Sequence, residues 1–146
     1  MKRYCLADYI LSIKPNDPEI DSSFGTITIG GEGSYTDSIS LNPLENLYST
    51  TGFATGAWVH DKNLSRVGTA VITLSQLSEQ VKKFIMMAET FYAGDYDGFT
   101  LSVATNTGEK VATCVDCYIQ KIPEQSFGKS AATQQWTFTC GKISFN

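Results

Sequence analysis

This sequence has little that chemistry could use. It has one histidine, His60, in 146 residues. A nucleophile with a histidine base would have to be built on it, yet it lies beside Asp61 in the stretch His60-Asp61-Lys62-Asn63, which reads as a solvated turn. Basic residues are few. Eleven Lys and Arg against fifteen Asp and Glu give a net charge of −4. They are spread along the chain without a basic run, so the footprint of a general nucleic-acid binder is missing. No run approaches the roughly 18 apolar residues of a membrane helix. There is no internal repeat, low-complexity tract or linker, so residues 1–146 read as a single domain, large enough for a real core. The start, Met1-Lys2-Arg3-Tyr4-Cys5-Leu6-Ala7-Asp8, does not read as a secretion signal, because Asp8 breaks the apolar run. Synthesis in the cytoplasm is the expectation, with the cysteines beginning as thiols.

The four cysteines do not form a recognisable site. Cys114-Val115-Asp116-Cys117 has CxxC spacing, but zinc would need a second pair, and Cys5 and Cys140 are isolated. A redox CxxC sits at a strand-to-helix turn, whereas this one lies inside a β-rich run. On a regular strand, residues three apart face opposite ways. That alternation puts Cys117 with Val111, Val115 and Ile119 on an apolar face, and Cys114 with Asp116 and Tyr118 on a polar one. Asp95 and Asp97 flank Tyr96 in a Gly-bounded loop, too few oxygen donors for calcium. Gly30-Gly31-Glu32-Gly33 lacks the Lys-Ser/Thr of a phosphate loop, and Glu32 would repel phosphate. No catalytic residue, metal or cofactor is expected.

What the chain does have is aromatic and β-branched bulk: eight Phe, seven Tyr and two Trp. Its pattern is mainly β with one α-helix. Strands are expected over residues 3–14, 24–29, 36–41, 53–59, 67–74, 99–105, 110–122 and 134–145. Pro15-Asn16-Asp17-Pro18 stops the first. Asn106-Thr107-Gly108-Glu109 joins two β-rich runs as a hairpin turn. The helix is expected from about Gln76 to Phe91. Leu77, Val81, Phe84, Ile85, Ala88, Phe91 and Tyr92 form one buried stripe, with Glu79, Gln80, Lys82, Lys83 and Glu89 off it. Ser75 or Ser78 can cap its start and Gly94 its end. Residues 42–52, NPLENLYSTTG, read as an irregular segment holding Leu44, Leu47 and Tyr48. That is odd for a solvated loop: it is either tucked on its own core or an arm that docks on a neighbour.

The order of these elements resembles the tail tube proteins of bacteriophages. The resemblance is carried by Gly68-Thr69-Ala70-Val71-Ile72-Thr73-Leu74 running through a polar hinge into the helix. Ile29-Gly30-Gly31-Glu32-Gly33, Ala54-Thr55-Gly56-Ala57-Trp58-Val59 and Trp136-Thr137-Phe138 agree with it. It covers nearly the whole chain through order and length rather than one specific motif. It implies an antiparallel β-sandwich or barrel subunit that closes into hexameric rings stacked as a hollow virion tail tube. In that architecture loops bridge subunits, which favours Leu44, Leu47 and Tyr48 as inter-subunit contacts, with Cys5 near a terminus where subunits meet. The polar face of the last two long strands, Asp116, Tyr118, Gln120, Thr137 and Thr139, would line the lumen. Cys5 and Cys114 are the thiols expected to be available for a disulfide between subunits. The implied partners are further copies of the chain, tail sheath and baseplate proteins; the tape-measure protein and DNA would pass through the lumen unbound, and no membrane is involved. A tube subunit of a type VI secretion-like or phage-tail-like contractile particle, and a soluble β-sandwich binding module, stand as alternatives.

Overall fold

A computed structural model describes residues 2–146. After a single 3-10 turn at Leu6–Asp8, strand β1 (Tyr9–Pro15) leads into helix α1 (Pro18–Phe24) and then β2 (Ile27–Gly30), β3 (Thr36–Pro43), β4 (Tyr48–Gly52), β5 (Trp58–Lys62) and β6 (Gly68–Ser75). Helix α2 (Glu79–Ala93) follows, then β7 (Phe99–Thr105), β8 (Lys110–Ile119) and β9 (Thr133–Phe145). Seven strands form one antiparallel sheet in the order β2-β1-β7-β8-β9-β6-β3, and β4 and β5 pair separately. The chain is therefore mainly β, as its sequence indicates.

The sheet is curled, and the reason lies in one short link. Its two edge strands, β2 and β3, are joined by residues 31–35 alone. A flat seven-stranded sheet would hold its edges about 29 Å apart at about 4.8 Å per strand. The chain from Gly30 to Thr36 can span only about 22 Å when fully extended. The edges must approach each other, giving a half-barrel. Gly30, Gly31 and Gly33 all adopt positive φ in this link, a conformation glycine takes without a Cβ penalty. At Gly30 a Cβ would also lie 2.6 Å from the Tyr9 carbonyl oxygen.

The hollow of the curl is filled by α2. Its buried residues are Val81, Phe84, Met87 and Ala88. Phe84 is completely enclosed, with its ring centroid 5.4 Å from Trp136 and 5.7 Å from Phe138. The inward residues of the strands complete the core: Leu11 and Ile13, Ala70, Ile72 and Leu74, Phe99 and Leu101. Polar groups in this core are paired. Trp136 Nε1 donates to Gln134 Oε1, and Gln134 Nε2 donates to Gln125 Oε1.

Three local expectations are corrected. First, α2 begins at Glu79 rather than near Gln76, so Leu77 precedes the helix and is 62% exposed. Tyr92 is exposed too, while Met87 joins the buried arc. Ser78 is the N-cap residue, but its hydroxyl donates to Gln80 Oε1 instead of capping the helix. Second, there is another helix. Asp17-Pro18-Glu19 does end β1, and it also starts α1: Asp17 Oδ1 accepts from the Glu19 N–H at 3.0 Å and Pro18 occupies the first helical position. This is a helix-start signal, and it buries Ile20. Third, residues 48–52 are strand, and His60-Asp61-Lys62 is not a turn but its partner strand, with the turn at 54–56.

Candidate assembly surfaces

The first surface is an arm. Strands β3 and β6 end their pairing at Pro43 and Gly68. Beyond that pair the chain continues outward as the β4–β5 hairpin, in register from Tyr48 against Lys62 to Gly52 against Trp58. Backbone bonds hold it at both ends. Leu44 N–H donates to Val67 O at 3.0 Å, Asn63 N–H to Leu47 O at 2.8 Å, and Phe53 N–H to Ala57 O at 2.9 Å. Gly56, at φ 92°, makes the reversal. On the hairpin, Thr50 Oγ1 and His60 Nδ1 are 2.8 Å apart, and the Lys62 ammonium lies 5.9 Å from the Tyr48 ring centroid.

Every residue of both strands is solvent-exposed. The exposed set includes Leu44, Leu47, Tyr48, Phe53, Leu64 and Trp58, the last at 67%. An isolated two-stranded hairpin is marginally stable in water. Bulky apolar side chains clustered on such a hairpin make it a candidate contact surface. The sequence shows the apolar content of Leu44, Leu47 and Tyr48 but not the strand. With neither hairpin face covered by its own chain, no inside-outside alternation is present to be read.

The second surface is the face of the sheet opposite α2. Residues Thr28, Ser12, Ser102, Thr113 and Ser144 stand side by side across β2, β1, β7, β8 and β9. This row of hydroxyls is not visible in the sequence, because strand pairing alone aligns it. Thr139 and Tyr118 are direct partners across β8 and β9, and Gln120 N–H donates to Thr137 O at 2.9 Å. Thr137, Thr139 and Gln120 are thus brought into one neighbourhood, while Asp116 sits apart at the strand irregularity beside Gly141. Tyr118 differs: its ring is edge-on to Phe91 of α2, with centroids 6.1 Å apart.

The cysteines require a correction. Cys5 is exposed, but Cys114 is 1% exposed and lies in the core with Cys117 and Cys140. It is therefore not on the polar face and not available on the surface for a bond between subunits. The cause is a β-bulge. Leu101 pairs with Cys114 and Phe99 with Cys117, so β8 carries one residue more than β7 over this stretch. Asp116 absorbs it at φ 57°. The extra residue moves Cys117 onto the same face as Cys114 and leaves Val115 exposed. Across the sheet, Cys117 pairs directly with Cys140. The three thiols lie together in the core, and Cys140 Sγ donates to the Phe138 carbonyl oxygen at 3.8 Å. The Cys114 pKa is lowered, chiefly by the neighbouring Cys117 thiol and then by that of Cys140, against burial. Cys117 is raised, first by the neighbouring Cys114 thiol, and Cys140 is raised with the same leading cause.

Residues 19–146 match the family model described as bacteriophage PhiTE tail tube protein. No curated protein matches. Among solved structures, a chain of the PVC sheath/tube terminator, from an extracellular contractile injection system in the extended state, superposes with a TM-score of 0.63 at 11% identity. The match covers 100% of this chain and 98% of that one. A chain of the PVC sheath-tube complex in the extended state gives 0.56 at 13% identity, covering 99% and 92%. A chain of the anti-feeding prophage cap, the tube-terminating cap, gives 0.51 at 13% identity, covering 100% and 93%. At these identities the likeness is one of fold.

Proposed function

The chain belongs to the PhiTE-type bacteriophage tail tube protein family, and on that premise we propose that it is the structural subunit of a virion tail tube, closing into hexameric rings that stack around a lumen through which DNA leaves the capsid. The observation that carries this reading is the β4–β5 arm. In the lone subunit it presents Leu44, Leu47, Tyr48, Phe53 and Trp58 to water. Burial against another copy would remove that apolar surface at about 25 cal/mol per Å². The free edges of β2 and β3 offer a second contact, since strand addition between subunits would satisfy both rows of backbone groups.

The hydroxyl and amide face around Thr137, Thr139 and Gln120 supports a lumen wall. Such a wall offers phosphates neither a basic patch to adhere to nor an apolar one. Cys5, exposed near the N-terminus, is suited to a subunit boundary. The sheath and baseplate are the partners outside and below the tube, with the tape-measure protein inside it. Negative-stain microscopy of the purified protein tests the reading. Rings or hollow fibres are expected, and a strictly monomeric protein at all concentrations would refute it. The PVC and anti-feeding prophage likenesses favour one second reading, the same tube in an injection particle. Nuclease-protected DNA in particles purified from producing cells separates the phage from that alternative.

A further inference from the structure

We propose that Cys117 and Cys140 form a modification site, an intrachain disulfide closed by small-molecule disulfides. The pair is directly opposed across β8 and β9. Opposed residues of an antiparallel pair hold their Cα atoms about 4.5–5.5 Å apart, inside the roughly 4.4–6.8 Å that a disulfide spans. The alternatives are less suited. Cys114 and Cys117 lie on one strand with the Asp116 bulge between them, and Cys114 pairs with Ile143, not with Cys140. The location gives the bond a purpose. Between the Val115–Lys142 and Cys117–Cys140 pairs, the β8–β9 ladder is interrupted at Asp116 and Gly141. A covalent link beside this gap would hold the two strands where their hydrogen bonding is thinnest, and would close the whole β8–β9 connection into a loop.

The chemistry balances with a small disulfide R–S–S–R as oxidant. One thiol of the pair loses its proton to water and attacks R–S–S–R. The S–S bond breaks, a mixed disulfide forms, and the departing sulfur takes up a proton from water and leaves as R–SH. The second thiol, deprotonated the same way, attacks the protein sulfur of the mixed disulfide and releases the second R–SH. Two protein thiols are oxidised, one small disulfide is reduced, and Cys114 is unchanged. All three sulfurs are nearly inaccessible, so closure follows transient opening of the sheet and is slow.

The test uses the full chain with Cys5→Ser, which removes the exposed thiol. The folded protein is incubated with glutathione disulfide and followed by intact mass. Cleavage before Asp116 separates Cys114 from Cys117 for peptide mapping. The expected result is loss of two hydrogens, a Cys117–Cys140 linkage, and a melting temperature higher by about 5–10 °C that a dithiol reverses. Cys114→Ala should leave the linkage unchanged. A bond involving Cys114 would overturn the assignment. So would thiols that stay reduced until the protein unfolds.

Discussion

Replacing Phe84 by alanine is the sharpest test of the core, provided that Leu77→Ala is measured beside it. Phe84 is fully enclosed between Trp136 and Phe138. A phenylalanine side chain buries about 150–200 Å² of apolar surface, worth about 4–5 kcal/mol, of which an alanine methyl keeps about 1. Two large rings on strands of one sheet cannot close into the space left, so a cavity cost of about 1 kcal/mol is added. The expected loss is about 4 kcal/mol, which for a chain of this size lowers the melting temperature by about 8–16 °C. Leu77 would lie on the same stripe if the helix began at Gln76. Since it is 62% exposed ahead of the helix, its truncation should stay within about 0.5 kcal/mol. Urea unfolding followed by circular dichroism, on protein that gel filtration shows to be unassembled, measures both. A Phe84→Ala loss below about 1 kcal/mol, or equal losses for the two variants, would refute the placement of α2.

Three other outcomes are expected. Leu47→Asp and Tyr48→Asp should abolish tubes in negative stain while leaving the subunit's melting temperature unchanged, because both side chains are exposed in the subunit; tubes from both variants would mean that the arm is only a surface loop. Thr139→Cys in assembled tubes should react with a small maleimide but not with one carried on a protein too large to enter a lumen; equal labelling by both would put this face on the outer wall. Gly68→Ala should cost about 1–3 kcal/mol through overpacking, since its Cβ would press on Ile143 and lie 2.6 Å from the Asn42 carbonyl oxygen; a melting temperature equal to the parent's would contradict that packing.

Much of this fold is legible in the chain itself, for reasons that are local. The stripe Val81, Phe84, Ala88 announces α2 through helical periodicity, and Asn106-Thr107-Gly108 announces the β7–β8 turn through glycine's freedom at φ 94°. The alternation of Gln134, Trp136, Phe138 and Cys140 announces β9, because one of its faces is buried. Asp17-Pro18-Glu19 also carried the start of α1, a signal overshadowed by the stop it gives to β1. The absence of a basic run or a histidine-centred cluster needed no coordinates either.

What tertiary structure decided depends on neighbours that sequence spacing does not encode. The face on which Cys114 lies is set by the register of β8 against β7: one extra residue, absorbed at Asp116, reverses the strict alternation of a lone strand and gathers three thiols in the core. The hydroxyl row from Thr28 to Ser144 exists only through the pairing of five strands. The curl follows from a link too short to join the edges of a flat sheet. The arm from Leu44 to Leu64 is apolar in sequence, but its own chain offers nothing to cover it. A burial pattern records only what a chain does with itself, so an apolar surface its own fold does not cover becomes visible only when the rest of the fold leaves it in water.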